Sequence, residues 1–210
     1  MFQATVKKWT SHVTEPVANV IAAIGITANM LTIIGLIFGI AAGVCIALGR
    51  LKLAGVLILV GGGFDMLDGA VARATNKSTP FGALLDSVVD RYSEGIIFLG
   101  LAVYFAMEET MKNRIYGLIP TCLGLISAFL VSYVRARAEG LQLECKVGLM
   151  QRPERVILLA GGVLFQNVLI VYINILIIAL WILAILSHFT ILQRVFFAQR
   201  KLQSVSITPA

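Results

Sequence analysis

The sequence predicts an all-α integral membrane protein: six transmembrane helices preceded by an N-terminal amphipathic helix lying in the membrane interface. Three observations carry this expectation. Of 210 residues, 59% are hydrophobic, and mean hydropathy is +0.91, well above that of an ordinary soluble domain. The apolar residues fall into six runs separated by short polar breaks. No polar stretch is long enough to bury a core of its own. Residues 1–210 therefore read as one membrane domain, with a juxtamembrane segment (1–29), a six-helix core (30–195) and a cytoplasmic tail (196–210).

Each element has its own justification. Phe2, Val6, Trp9 and Val13 share one helical face beside Lys7 and Lys8, which fits an interfacial helix on the cytoplasmic surface. Residues 14–29, through Pro16 and an Ala/Ile run to Thr27-Ala28-Asn29, predict a second short amphipathic piece and a turn. The first membrane helix is expected over about Leu31–Leu48 and the second over about Leu53–Thr75. Asn76-Lys77-Ser78-Thr79-Pro80 ends the second, because Pro80 cannot continue a helix. The third covers about Gly82–Met107, followed by a polar loop from Glu108 to Arg114. The fourth covers about Tyr116–Ala138 and runs into a charged loop. The fifth opens near Pro153, a favourable first-turn position for proline, and ends near Gln166–Asn167. The sixth covers about Val168–Leu192 and ends in a basic tail.

Charge sets the orientation. With the N-terminus inside, only Arg50, Lys52, Lys112 and Arg114 of the 17 lysines and arginines fall outside. The positive-inside rule then makes this a multi-pass cell-membrane protein with both termini cytoplasmic. The net charge of +6 reads as topology and contact with anionic membrane lipids, with no nucleic-acid partner. Cys45, Cys122 and Cys145 show no disulfide or metal-ligand spacing and read as unoxidised. No cleavable signal peptide is expected, since the first long apolar run starts too far in.

The residues that do not belong in such a chain are acids. Asp65 and Asp68 are spaced i,i+3, and Asp86 and Asp90 are spaced i,i+4, so each pair shares one face of its helix. Gly69 and Ala72 continue the first stripe, and Gly82 precedes the second by a turn. Charges inside apolar helices are expensive and usually mark a site. Two such faces turned together make a pocket of carboxylates that would repel one another without cations. Oxygen-only ligands suit Mg²⁺ or Mn²⁺. The bland alternative is a set of ion pairs, with Arg73 and Arg91 neutralising some of the aspartates. A cation-coupled transporter is another functional class, but transporters usually show inverted repeats and broken helices. No internal repeat is visible.

The spacing Asp65-x-x-Asp68-Gly69-x-x-Ala72-Arg73, eight residues, Gly82-x-x-x-Asp86-x-x-x-Asp90 resembles the CDP-alcohol phosphotransferase signature at every position. Eight fixed positions over twenty-six residues make this a specific match. The resemblance implies transfer of a phosphatidyl group from a CDP-linked lipid to an alcohol, with release of CMP. It implies two metal ions, Mg²⁺ with Mn²⁺ as the alternative. Asp65 and Asp86 would bridge both ions, Asp68 would hold one and Asp90 the other. Asp90 would also take the proton of the attacking hydroxyl. Gly69 and Arg73 would meet the nucleotide, with Thr79 nearby. The segment containing Ala28, Asn29, Met30 and Leu31 resembles the stretch where family members dock the nucleotide, although they often carry proline where this chain has Ala28. A helix cap is the plain alternative for Asn29 or Thr32. The family is dimeric, which implies a homodimer.

Three helix ends on the same membrane face carry arginines: Arg135 in Ser132-Tyr133-Val134-Arg135-Ala136-Arg137-Ala138-Glu139, Arg152 and Arg155 in Arg-Pro-Glu-Arg, and Arg194. Convergent guanidinium groups suit a phosphate dianion, though any single one could be a topological anchor. Together with Glu15-Pro16-Val17-Ala18 and Gln193-Arg194, these runs resemble the phosphatidylinositol-phosphate synthase branch. Many members of that branch have lysine where this chain has Arg135. The resemblance implies an enzyme that joins inositol 1-phosphate to CDP-diacylglycerol or to a CDP-linked ether lipid. Glycerol 3-phosphate is the alternative acceptor.

Overall fold

The computed structural model describes residues 14, 16–75, 78–166, 169–170 and 173–206, with side chains for all of these except 169, 170, 173 and 204–206. The expected interfacial helix over residues 1–13 lies outside the described residues. The described chain is helical apart from one two-residue strand pair. A short helix, α1 (16–23), leads into α2 (Ala28–Ala47), α3 (Leu51–Ala74), α4 (Pro80–Ala106), α5 (Met111–Gly140), α6 (Arg152–Leu164) and α7 (Ile175–Ser206). Strands β1 (Leu169–Ile170) and β2 (Ile173–Asn174) pair antiparallel between α6 and α7.

Local chemistry sets the element ends. Gly49, at φ +73°, closes α2, where Gly49 N–H donates to Ile46 O and Arg50 N–H to Cys45 O. This left-handed cap favours glycine and turns the chain back into α3. Thr79 caps α4 by accepting a hydrogen bond from Gly82 N at 3.0 Å, with Pro80 in the first turn. Thr27 caps α2 in the same way, through Met30 N, so neither Asn29 nor Thr32 is the cap residue. Pro80 therefore both blocks extension of α3 and starts α4.

Helices α2 to α7 alternate in direction. The N-terminal end of α2 meets the C-terminal end of α3 and the start of α4, and α6 opens beside both aspartate pairs. Close approach depends on glycine. A Cβ on Gly39 would sit 2.9 Å from Ser93 Cβ, and one on Gly43 would sit 2.7 Å from Ile96 O. The Gly35/Gly39/Gly43 stripe thus lets α2 lie against α3 and α4 with backbone nearly touching backbone, as small-residue stripes do in membranes. A large apolar cluster that includes Ile46, Phe98, Leu101, Leu159, Val163 and Leu180 fills the bundle centre. A second, containing Ala18, Leu31, Ala70 and Val71, packs α1 onto α2 and α3.

The outer surface is apolar too. Ile33, Ile37 and Val44 of α2, Ile119 and Ile126 of α5, and Ile185 and Leu192 of α7 are all exposed. Four helices are long and apolar enough to cross a membrane: α2, α3, α5 and Ile175–Gln203 of α7. Helix α4 is 27 residues long but carries Asp86, Asp90, Arg91 and Glu94. Helix α6 has 13 residues, which at 1.5 Å each reach about 20 Å, short of a hydrocarbon core of about 30 Å. The predicted tail boundary at 195 is not an element boundary, because α7 continues to Ser206. Helix α5 begins at Met111, inside the stretch expected to be a polar loop.

Candidate active site

Asp65 and Asp68 lie in the C-terminal half of α3, and Asp86 and Asp90 in the N-terminal half of α4. The helix hairpin brings the two faces together. Asp86 stands near enough to Asp65, Asp68 and Asp90 to repel each of them. The second pair continues by one more helical step to Glu94, so α4 presents Gly82, Asp86, Asp90 and Glu94 at four-residue spacing.

A cavity of about 220 Å³ opens on one side of this cluster. Ala28, Asn29, Gly69, Arg73 and Thr79, five of the seven residues expected at a nucleotide, line it together with Thr32, Asp68 and Asp86. Met30 and Leu31 do not line it. Met30 is exposed and Leu31 is buried in the cluster beneath α1, because consecutive residues at a helix start point in different directions. The cavity walls are tight where the sequence has glycine. A Cβ on Gly82 would sit 3.2 Å from Asn29 Oδ1, and one on Gly69 would sit 3.3 Å from Arg73 Nη1. Thr79 serves both as α4 cap and as cavity wall.

On the other side the acids meet α6. Arg152 Nη1 lies 2.6 Å from Asp65 Oδ2, and Arg152 Nη2 lies 2.6 Å from Asp90 Oδ1. One guanidinium therefore joins the two aspartate-bearing helices. Arg91 is a weaker neighbour, 3.5 Å from Asp90 Oδ2, and its Nη1 donates to Ser87 O. Arg73 makes no ion pair among the described residues. The ion-pair role that the sequence offered to Arg73 and Arg91 thus falls mainly to Arg152.

The four arginines have different surroundings. Arg155 is 2% exposed and gripped by Glu94, with Nε to Oε1 at 2.7 Å and Nη2 to Oε2 at 3.0 Å. It is a fully paired strut in this arrangement, not an open phosphate ligand. Arg135 pairs with Glu139 one turn away and is half exposed. Arg194 is 3% exposed and donates to the carbonyls of Val147 and Val131. No carboxylate pairs with it among the described residues, and it feels the like charges of Arg135 and Arg155. The Glu139 carboxylate is the acid near enough to act on it, through space and without a direct contact.

Gly35 and Glu94 have no role assigned from sequence, and Thr32, which the sequence offers as cap or ligand, has a third one. Thr32 Oγ1 donates to Asp68 Oδ2 at 2.7 Å and fixes that carboxylate. Gly35 makes room for Asp65, since a Cβ there would sit 3.0 Å from Asp65 Oδ1. Glu94 clamps Arg155. The signal for Glu94 was its place on the Asp86/Asp90 stripe, and the signal for Gly35 was the Gly-x-x-x-Gly repeat.

The acids fit a hard divalent cation by donor chemistry. All four are oxygen donors. Asp90 Oδ1 is buried and accepts no hydrogen bond despite the nearby guanidinium. Asp86 has no hydrogen bond or ion pair among the described residues. No three acids stand close enough together to form a finished cage for one ion among the described residues. The donors are neighbours, with Arg152 reaching between two of them.

A family model described as CDP-alcohol phosphatidyltransferase matches residues 25–193. The chain is 36% identical over 189 residues to an archaetidylinositol phosphate synthase of Methanothermobacter thermautotrophicus, covering 90% of each chain. It is 36% identical over 189 residues to a phosphatidylinositol phosphate synthase of Mycobacteroides abscessus, covering 88% of this chain and 82% of the other. Two crystal structures of a Mycobacterium tuberculosis phosphatidylinositol phosphate synthase share the fold at 33% identity. The one with CDP-DAG bound has a TM-score of 0.78 and covers 89% of this chain and 94% of the other. The one in complex with manganese and citrate has a TM-score of 0.79 and covers 89% and 88%.

Proposed function

The chain belongs to the CDP-alcohol phosphatidyltransferase family and is a membrane enzyme of that class, and from this premise we propose that it makes a phosphatidylinositol phosphate. The substrates are CDP-diacylglycerol, or a CDP-linked ether lipid, and inositol 1-phosphate. The observation that carries the reading is the cavity in which Asp68 and Asp86 meet Asn29, Gly69, Arg73 and Thr79, with Arg152 and the other acids against its far side.

The residues divide the work. Gly69 offers backbone without a Cβ, so a flat base or ribose can lie against α3. Asn29 and Thr79 provide hydrogen-bonding groups at the cavity wall, and Arg73 faces the phosphates. Two Mg²⁺ ions, with Mn²⁺ as the alternative, held by Asp65, Asp68, Asp86 and Asp90, would neutralise charge on the phosphoryl oxygens. Asp90 takes the proton of the inositol hydroxyl as that oxygen bonds to the lipid-side phosphorus and the bond to CMP breaks. Arg194, buried without an acid partner, supplies a desolvated positive charge for the acceptor's own phosphate. Arg152 and Arg135 support it, and Arg155 shapes the pocket from beneath. Serine would leave these charges without a partner.

On the same reading all six helices α2–α7 cross the bilayer, with α6 and its following strand pair reaching the outer side together. Both termini and the site face the cytoplasm, supported by the excess of arginine and lysine at that end, and the enzyme works as a homodimer.

The test is CMP release by purified protein given CDP-diacylglycerol and Mg²⁺, with inositol 1-phosphate, glycerol 3-phosphate, free inositol and serine in parallel. Release with inositol 1-phosphate alone is expected. Release with glycerol 3-phosphate instead overturns the acceptor assignment.

A further inference from the structure

We infer that Arg152 is an exchangeable counter-ion of the aspartate site, whose displacement by a divalent cation makes its guanidinium available to the acceptor's phosphate. The inference rests on the reading above, in which the aspartates hold cations and arginines hold that phosphate.

Arg152 and the cations call on the same atoms. Arg152 reaches Asp65 Oδ2 and Asp90 Oδ1, both at 2.6 Å, and these are oxygens of two carboxylates that the cations would need. A guanidinium and a divalent cation at such close quarters repel, so the two compete for the acids. The other buried arginines have no such conflict. Arg155 is held by both oxygens of Glu94, and Arg194 by two backbone carbonyls. Arg152 is also the first residue of α6, behind a loop, and its side chain is 29% exposed against 2% for Arg155. It has room to change partners.

The hydrogen bonding points the same way. Arg155 makes two well-formed hydrogen bonds to its carboxylate, whereas Asp90 Oδ1 accepts none although Arg152 is beside it. Arg152 is hydrogen-bonded to Asp65 and only charge-paired with Asp90, so it is held on one of its two sides, where Arg155 is held on both. One group that can serve either the acids or a phosphate links the two ligands. Cation binding then favours phosphate binding, and by thermodynamic reciprocity phosphate favours cation binding to the same degree.

The experiment measures Mn²⁺ affinity, from the free-ion signal in electron paramagnetic resonance, on the full chain in detergent without CDP-lipid. Wild type, Arg152→Gln and Arg152→Lys are each titrated with and without inositol 1-phosphate. Arg152→Gln is expected to bind Mn²⁺ at least about fivefold tighter than wild type, the lower end of ordinary coupling. Inositol 1-phosphate should tighten Mn²⁺ binding in wild type and leave Arg152→Gln unchanged. Arg152→Lys keeps the charge but loses the planar fork that spans two carboxylates, and should fall between. Unchanged or weaker Mn²⁺ binding by folded Arg152→Gln overturns the inference. If that variant does not fold, Arg152→Lys decides: tighter than wild type supports it, and equal or weaker overturns it. CMP release is read alongside. Tighter Mn²⁺ binding in the variant, with no wild-type turnover of inositol 1-phosphate, overturns the acceptor reading while the exchange at the aspartates stands.

Discussion

Glu94 holds Arg155 by two parallel hydrogen bonds, of 2.7 and 3.0 Å, and so ties α4 to α6 in the interior of the bundle. Removing one partner leaves the other as an unpaired charge that is 2% exposed on the arginine side. Glu94→Ala is therefore expected to cost about 3–5 kcal/mol. Replacing both residues by methionine should cost less than Glu94→Ala, since the buried charge disappears with its partner. Thermal unfolding of the three proteins in the same detergent checks the order, and a double variant as unstable as Glu94→Ala would contradict it.

Thr32 acts on the site through Asp68. Its hydroxyl donates at 2.7 Å to Asp68 Oδ2, on a carboxylate that is itself largely buried. Thr32→Val keeps the shape and removes the donor. Partners of this kind, one step behind a metal ligand, typically account for about 10- to 100-fold in metal affinity or activity. A loss in that range in Mn²⁺ affinity, restored by Thr32→Ser, is the expected result. Equal affinity in Thr32→Val and wild type would reduce Thr32 to a packing residue.

Glycines on α2 give a paired test of room against strain. At Gly35 an added Cβ would crowd Asp65 Oδ1 at 3.0 Å, whereas at Gly43 it would strike the backbone oxygen of Ile96 at 2.7 Å. Gly35→Ala should reduce CMP release while the melting temperature stays near wild type, because one carboxylate can shift by a few tenths of an ångström. Gly43→Ala should destabilise by about 1–3 kcal/mol, because two helix backbones must separate. Gly63 has open space around its would-be Cβ, and Gly63→Ala is the neutral control.

Much of this was legible because membrane helices write themselves as long apolar runs. The expected second and third helices match α3 and α4 within two residues at each end, and Pro80 with the polar break before it fixes the junction between them. The misplacements come from polar helical residues. Lys112, Asn113 and Arg114 read as loop, yet α5 starts at Met111, and Arg200 and Lys201 read as tail, yet no glycine or proline stops α7 there. The aspartate faces followed from i,i+3 and i,i+4 spacing alone. What spacing could not give was partnership across helices. Arg152 and Arg155 are three residues apart on one helix, yet one meets two aspartates and the other Glu94, which depends on how α6 crosses α3 and α4.

The arginines also differ in what each should contribute to the acceptor. Arg135 spends its charge on Glu139 at the surface, a kind of pair worth about 0–1 kcal/mol. Arg194 is buried and bonded directly only to carbonyls, with Glu139 acting on it from beyond contact, so an incoming phosphate would be its first directly paired anion. Truncating one partner of a desolvated charge pair costs about 2–5 kcal/mol, or roughly 30-fold and more in affinity at 1.4 kcal/mol per decade. Arg194→Ala should thus raise KM for inositol 1-phosphate by at least that factor, with KM for the CDP-lipid nearly unchanged. Arg135→Ala should move the same constant only a few-fold. Because Arg194 also ties α7 to Val131 and Val147, Arg194→Lys serves as the folded comparison, keeping the charge while losing the fork. Parallel rises in KM for both substrates, or a larger effect at Arg135 than at Arg194, would place the acceptor's phosphate elsewhere.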